Sequence, residues 1–227
     1  MESGRTSVST TADAIMDYIR TNRLNCGDPL PTEMQLCAEL KVSRSSVREA
    51  MRLLSSLDIV EVRHGYGTYV GAMSLAPLIN GMIFRIVLGT ERSHESLRNV
   101  VNTRIALDIH LTDELITIHQ GKEHDELYAL VDQMQEQFEK GESFAEQDFT
   151  FHSLLLKDIS NELISELATA FWEIHTRVVP MLGLSNQGDL QETVDAHRDI
   201  VKALEEGDRE GYLSAVHRHY QPLLRNI

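Results

Sequence analysis

The sequence predicts a mainly α-helical protein with one small β-hairpin in its N-terminal third. Apolar residues recur at helical spacing along most of the chain. Two short runs rich in β-branched residues flank His64-Gly65-Tyr66-Gly67, and no strand-like alternation follows from about Leu78 onward. We therefore expect a first domain over residues 1–72 and an all-α helical bundle over residues 78–227, joined by a linker at 73–77. The helices of the bundle are expected to break at Gly89, at Gly121, at Gly141, near Asn161, at 183–188 and at Gly207.

Two helices are expected to open the chain. The first covers Thr11–Leu24 and ends at the breaker residues 25–29, which include Gly and Pro. The second is short and ends near Leu40. At its start, Thr32 and Gln35 have the spacing of a capping box, in which each satisfies a free backbone N–H of the other.

A tight turn separates the second helix from a third. Ser43 can cap this third helix, which runs to about Leu57. Its predicted inner face consists of Val47, Ala50, Met51 and Leu54. Two short helices across a tight turn are typical of a helix-turn-helix, and residues 59–63 and 68–70 add the two strands of the hairpin.

The charge of the chain is unevenly distributed. The net charge is −14, but residues 1–72 carry 8 Lys+Arg and 9 Asp+Glu, which leaves −13 on the remainder. Binding to nucleic acid requires cations close to phosphates. Any DNA contact must therefore come from a local basic patch in the N-terminal third.

The sequence also restricts where the protein works. No apolar stretch is long enough to cross a bilayer, and no secretory signal follows the first residues, so we expect a cytoplasmic protein without membrane contact. Cys26 and Cys37 are too few for a disulfide framework or a cysteine-based zinc cluster, and we assign them no role.

A basic patch of this kind lies on the third helix and the hairpin. Its residues are Arg44, Ser45, Ser46, Arg48 and Arg52 on the helix, and Arg63 and His64 on the hairpin. Arginine can bond guanine O6 and N7, and hydroxyls suit phosphate oxygens. The alternative is an ordinary solvated helix face with surface arginines, which periodicity alone does not distinguish.

This region contains four motifs in order: Leu30-Pro31-Thr32-Glu33, Leu36-Cys37-Ala38-Glu39-Leu40, Val42-Ser43-Arg44-Ser45-Ser46-Val47-Arg48-Glu49-Ala50 and His64-Gly65-Tyr66-Gly67-Thr68-Tyr69-Val70. In order and spacing they resemble the winged helix-turn-helix of GntR-family regulators. The resemblance implies that Arg44 and Arg48 are the main DNA-contacting arginines and that His64 and Gly65 form the tip of the wing. The family often has arginine after the glutamate of the first motif, whereas this chain has Met34.

Polar residues interrupt the apolar faces of three helices in the C-terminal region. Asp148 and His152 share a face with Phe144, Phe151, Leu155 and Ile159. His197 lies within the apolar face of the next strong helix, and on the last helix His219 points inward whereas His217 points away.

Buried histidines that bond to the core are the alternative for each of these positions taken singly. Together, three inward histidines and an inward carboxylate favour a shared divalent transition metal, with zinc first and nickel, manganese or iron(II) also suitable. Such a set leaves coordination positions open for water or for the oxygens of a small carboxylate.

Arg104 also lies on an apolar helix face. One interpretation is an ion pair with Asp108, four residues on, and the other is a guanidinium clamp for an acidic ligand; both can hold at once. Five other histidines do not share an apolar face with further metal-ligating residues and are expected to be ordinary surface or core residues: His94, His110, His119, His124 and His175.

This half resembles the all-helical effector domain, of the FCD type, of the FadR-like branch of the GntR family. The resemblance rests on residues 104–108, on residues 148–152 with Asn161, and on residues 197–219. It implies a metal held by Asp148, His152, His197 and His219. It further implies a homodimer, a palindromic double-stranded DNA operator and a small organic-acid effector.

The sequence therefore predicts a ligand-responsive transcription regulator, a repressor, and not an enzyme. One alternative is the same DNA-binding dimer with a purely structural metal. A metal-dependent hydrolase is the other, but no spacing places Glu166 or Glu173 against the metal as a general base.

Overall fold

The computed structural model describes residues 2–89, 92–184 and 190–227, with side chains from Thr10 onward. These residues form two compact units, one ending at Pro77 and one beginning at Leu78. Their elements are α1 (Glu2–Thr21), α2 (Glu33–Leu40), α3 (Arg44–Ser56), β1 (Val60–Arg63), β2 (Gly67–Val70), α4 (Ala76–Leu88), α5 (Ser93–His110), α6 (Thr112–His119), α7 (Asp125–Lys140), α8 (Ala145–Leu155), α9 (Glu162–Met181), α10 (Leu190–Glu206) and α11 (Arg209–Asn226). The mainly α fold with a hairpin is confirmed.

None of the described helices combines the length and the apolar character that crossing a membrane requires.

Helix α1 differs from its prediction at both ends. It begins at Glu2, because a helix can continue through polar residues that show no apolar periodicity. It ends at Thr21, before Leu24, because Arg23 adopts a left-handed backbone with φ of 53°. Its inward residues, such as Ile15, pack in the core of the first unit as expected.

The turn between α2 and α3 is built as predicted. Gln35 Oε1 accepts from the backbone N–H of Thr32 at 2.9 Å, and the Gln35 N–H donates to Thr32 Oγ1 at 3.4 Å. Ser43 Oγ accepts from the N–H of Ser46 at 3.1 Å and caps α3. The four predicted inner residues of α3 are buried: Val47, Ala50, Met51 and Leu54.

The hairpin is an antiparallel pair in which Val60 lies opposite Val70 and Arg63 opposite Gly67. Its turn needs glycine, because Gly65 and Gly67 have φ of 81° and 114°. We call residues 60–70 the wing.

Helices α5 to α11 of the second unit contribute to one apolar core. Predicted breaks at Gly121, Gly141 and Gly207 coincide with left-handed residues between helices, and α9 begins after Asn161. The break expected at 183–188 falls partly outside the described residues. One break was not predicted, at Leu111 between α5 and α6. Leu111 keeps near-helical angles (φ −80°, ψ −4°), so no glycine or proline marks it.

His119 is buried beside this core. Its Nε2–H donates to the carbonyl of Leu155 at 3.2 Å, so its Nδ1 carries the lone pair that faces His124 Nε2 at 3.1 Å. Burial lowers the pKa of His119 from its ordinary value of 6.5. His119 is therefore neutral in the folded protein near neutral pH.

We expect His119 to make the fold sensitive to acid. Because the unfolded chain binds this proton more readily than the folded chain, stability is full above the unfolded pKa of 6.5 and falls as the pH drops below it. His119→Gln removes the titration. Between about pH 7 and pH 5, the Tm of the His119→Gln variant should fall less than the Tm of the unmutated protein. Both proteins are measured with chelator present. Equal falls in the two proteins would contradict the assignment.

Candidate functional site

The exposed face of α3 presents the predicted basic residues. Arg44, Ser45, Arg48 and Arg52 are exposed, and the opposite face of α3 is buried in the core of the first unit. The hydroxyls of Ser45 and Ser46 lie 2.8 and 2.9 Å from Ser43 Oγ, so the first turn is ordered by its cap. A helix whose N-terminal turns project in this way can enter the major groove of DNA.

Ion pairs hold three of the four arginines on this surface, which the sequence analysis did not anticipate. The pairs are Arg48 with Glu33 at 2.8 Å, Arg52 with Glu49 at 2.6 Å and Arg63 with Glu61 at 2.8 Å. Each is exposed, and exposed pairs contribute only about 0–1 kcal/mol, so phosphates can displace these carboxylates. Arg44 has no hydrogen-bond or ion-pair partner among the described residues.

The wing places His64 and Gly65 at its exposed tip, with Arg63 stacked 4.2 Å above the ring centre of Tyr69. Tyr66 at the same tip is 82% exposed. Met34, on α2, is exposed as well.

Four side chains converge inside the second unit. Asp148 and His152 come from successive turns of α8, His197 comes from α10 and His219 from α11. One donor atom of each lies within 4.8 Å of the others. His197 Nε2 is 2.9 Å from Asp148 Oδ1, and His152 Nε2 is 3.6 Å from it. We call these residues the four-residue cluster; His217, as the wheel predicts, is exposed outside it.

The donor atoms of this cluster are buried without hydrogen-bond partners among the described residues. They are Asp148 Oδ1, His152 Nε2, His197 Nε2 and His219 Nδ1. His197 Nε2 and Asp148 Oδ1 are close, but the four atoms are not oriented to form hydrogen bonds with one another. An unsatisfied buried polar atom costs about 1–3 kcal/mol, and one divalent cation at their common centre would satisfy all four. The residues present therefore fit a metal ion.

Protonation states in the cluster also suit a metal. His197 Nδ1–H donates to the carbonyl of Thr193 at 2.8 Å, which leaves the lone pair on Nε2. Burial, together with the neighbouring His197, holds the pKa of His219 well below its ordinary value. Burial alone would raise the pKa of Asp148, but its contacts with His152 and His197 outweigh burial and hold that pKa well below its ordinary value. The carboxylate is therefore ionised.

Trp172 on α9 supports the cluster from outside. Its Nε1–H donates to Asp148 Oδ2, so that Oδ1 is the oxygen that faces the imidazoles. Trp172 could not be predicted as part of the site, because no helical spacing relates α9 to α8. Its one signal was that it is the single tryptophan in the chain.

Arg104 is buried, and no carboxylate lies within ion-pair distance of it among the described residues. The expected pair with Asp108 is absent from this part of the chain, because Asp108 Oδ2 accepts from the hydroxyl of Tyr220 at 2.6 Å. Arg104 Nη1 donates instead to His175 Nδ1 at 2.9 Å. Burial, together with the charge of Arg104, lowers the pKa of His175 to about 3, so His175 is neutral.

One cavity of about 360 Å³ joins these groups. Arg104, Asp148, His175 and His219 all line it. His175 was expected to be an ordinary surface or core residue, and the structure corrects this: it lies against the cavity and orients Arg104. A cavity of this size, with convergent polar groups, is typical of a small-molecule site. We call it the bundle cavity.

Comparison with known proteins matches both units. Residues 8–70 match the family model "Bacterial regulatory proteins, gntR family", and residues 99–222 match "FCD domain". The galactonate operon transcriptional repressor of Escherichia coli (strain K12) is 22% identical over 80% of this chain and 80% of its own length. The HTH-type transcriptional regulator LutR of Bacillus subtilis (strain 168) is 23% identical over 84% of this chain and 87% of its own.

Among solved structures, a GntR protein of Streptococcus agalactiae covers 97% of this chain and 100% of its own with a TM-score of 0.65 and 28% identity. The FCD model alone spans more than half of the chain, and the GntR model covers the helix-turn-helix and the wing. The resemblance seen in the sequence is thereby confirmed: the chain is a transcriptional regulator that belongs to the GntR family, in the FadR-like branch that carries an FCD domain.

Proposed function

We propose that this regulator is a ligand-responsive repressor whose FCD domain binds a divalent metal and a small carboxylate. The observation that carries the proposal is Arg104, a buried cation with no carboxylate partner among the described residues, which lines the same cavity as Asp148 and His219. A buried charge needs a counter-charge. A carboxylate that contacts both Arg104 and the metal supplies it.

The four-residue cluster is the proposed metal site, with zinc first and nickel, manganese or iron as alternatives. When bound, such a metal supplies a Lewis-acid centre for a carboxylate oxygen. The hydrolase alternative has less support, because Glu166 is exposed and Glu173 pairs with Arg177 at 2.9 Å. In a purely structural role, the metal would stabilise the bundle without ligand.

Operator recognition is proposed for the first unit, with residues 1–72 as the DNA-binding domain, 73–77 as the linker and 78–227 as the effector and dimerisation domain. The contacting residues are Arg44, Ser45, Ser46, Arg48, Arg52, Arg63, His64 and Gly65, all exposed or half-buried. A homodimer would place two such surfaces on the two halves of a palindromic operator. A DNA-binding repressor of this type would work in the cytoplasm.

Phe84 and Leu88 on α4 are candidates for the dimer contact. They are apolar residues, 66% and 62% exposed, that a second copy of the chain could cover.

The two units must be coupled for an acid to control transcription. An effector shifts DNA affinity only as far as it binds one arrangement of the dimer better than the other. Filling the bundle cavity changes the contacts between α5, α8, α9, α10 and α11, whose residues line it. These helices are therefore the proposed origin of the response.

Acid binding that depends on the metal is the expected result for the purified protein. We would measure Tm and DNA affinity with a panel of mono-, di- and hydroxycarboxylates, in metal-loaded protein, in chelated protein and in Arg104→Met. At least one acid should raise Tm and shift DNA affinity in the loaded protein only, because ligands stabilise the state that they bind. If no acid changes Tm or DNA affinity and the protein unfolds on chelation, the metal has a purely structural role.

A further inference from the structure

The positive groups of the bundle cavity lie at one end of it: the Arg104 guanidinium is 5.0 Å from the ring centre of Tyr220, which is 4.6 Å from that of His219 in the four-residue cluster. Among the lining residues that the structure describes, Arg104 is the one with a permanent positive charge. His175 and His219 also line the cavity, but His175 Nδ1 accepts a hydrogen bond from Arg104 at 2.9 Å, and His219 Nδ1 belongs to the four-residue cluster. A divalent metal held by the four-residue cluster would add two positive charges, of which the Asp148 carboxylate balances one. The metal and the Arg104 guanidinium would then form one cationic end of the cavity, which suits a single carboxylate headgroup.

A second carboxylate would meet a negative charge. Glu142 lies on the exposed part of the lining, at the turn between α7 and α8. An acid with a distal carboxylate would place that group away from Arg104 and the metal, where the described lining offers no other permanent cation, and near Glu142. Like charges at a binding site are a common means of rejecting the wrong ligand.

Most of the remaining wall is apolar. It includes Phe144, Trp172, Val179, Leu190 and Leu223. Two polar groups near these residues are engaged within the protein: the Tyr220 hydroxyl donates to Asp108, and the Asn226 amide donates to the carbonyl of Pro222 at 2.7 Å. Three residues with hydroxyls, Ser143, Thr176 and Thr193, also line the cavity. A polyhydroxylated acid would lose water from hydroxyls that find few partners here, which costs affinity.

We infer that the effector is a small monocarboxylate with a hydrocarbon tail, rather than a sugar acid or a dicarboxylate. The carboxylate lies at Arg104 and the cluster, and the tail lies along the wall formed by α9 and α11. The cavity of about 360 Å³ is near the lower end of small-molecule sites, which suits an acid of this size. This inference rests on the proposed function and narrows it to one class of acid.

The test is a calorimetric titration of the metal-loaded, full-length protein with acids of matched length. The probes are hexanoate, adipate and galactonate, which share a six-carbon chain, with benzoate as a second apolar acid. Hexanoate or benzoate should bind at least about tenfold more tightly than adipate and galactonate, a difference of about 1.4 kcal/mol.

Two variants test the two features that select the acid, the negative charge of Glu142 and the apolar wall. Glu142→Gln should raise the ratio of adipate to hexanoate affinity several-fold, whereas Glu146→Gln, an exposed control on α8 outside the lining, should leave that ratio unchanged. Val179→Thr keeps the shape of the wall but adds a hydroxyl, so it should weaken the apolar acid several-fold with metal content unaltered.

The outcomes separate this inference from the proposed function. Tighter binding of galactonate or adipate than of both apolar acids would overturn the inference and leave the acid sensor intact. So would binding of another acid from the wider panel when hexanoate and benzoate do not bind. If no acid of either panel binds the loaded protein, the proposed sensor fails and the inference fails with it.

Discussion

Arg44→Ala is expected to weaken operator binding by about 10- to 100-fold without unfolding the protein. Arg44 is exposed at the first turn of α3, and a bidentate arginine–guanine contact is worth about 1–3 kcal/mol. Because Arg44 has no partner among the described residues, its removal leaves no carboxylate unpaired. The measurement is fluorescence anisotropy with a duplex recovered from a random pool by the protein itself.

Arg48→Ala should weaken operator binding to a similar extent. In the free protein Arg48 pairs with Glu33, and this ion pair must break before Arg48 can contact DNA. Glu33→Gln removes that competing carboxylate and should tighten binding a few-fold, with a steeper salt dependence. Arg198→Ala is the matched control, because Arg198 is also an exposed arginine in an ion pair, with Asp132, but lies in the second unit. Unaltered affinity in both Arg44→Ala and Arg48→Ala would remove α3 as the DNA-reading element.

Elements with local signals were predictable from the sequence. The capping box of Thr32 and Gln35 and the cap at Ser43 depend on neighbours within a few residues, so their spacing alone positions α2 and α3. Helical periodicity likewise distinguishes buried His219 from exposed His217. The break at Leu111 was missed because its backbone stays near helical angles, and no residue type reports such a small change of direction.

Contacts between distant elements were less predictable. The four-residue cluster could be proposed because each member interrupts an apolar face. In contrast, Trp172 and His175 act through partners on other helices, Asp148 and Arg104, which no spacing along the chain reveals. Asp108 shows the converse case: its i,i+4 spacing to Arg104 suggested an ion pair, but Tyr220 from α11 binds its carboxylate instead.

His197→Ala is expected to abolish metal binding while the helical bundle remains folded. His197 is fully buried, and it is held by Thr193 so that Nε2 faces the cluster. Loss of outer-shell partners of metal sites already costs about 10- to 100-fold in affinity, so loss of a ligand should exceed about 100-fold. Metal titration followed by the fluorescence of Trp172, the single tryptophan, measures this directly, because its indole bonds to Asp148.

Retention of the fold is the part of this prediction that distinguishes a sensor from a structural metal. The apolar core of the second unit, which includes Phe151, Leu155, Val201 and Tyr212, extends well beyond the cluster. Since a buried alanine at this position also leaves a cavity, chelation of the unmutated protein is the companion experiment. Both should lower Tm, keep the helical circular dichroism signal at room temperature and remove the response to acids. Collapse of the helical signal in the chelated parent would show instead that the metal holds the bundle together.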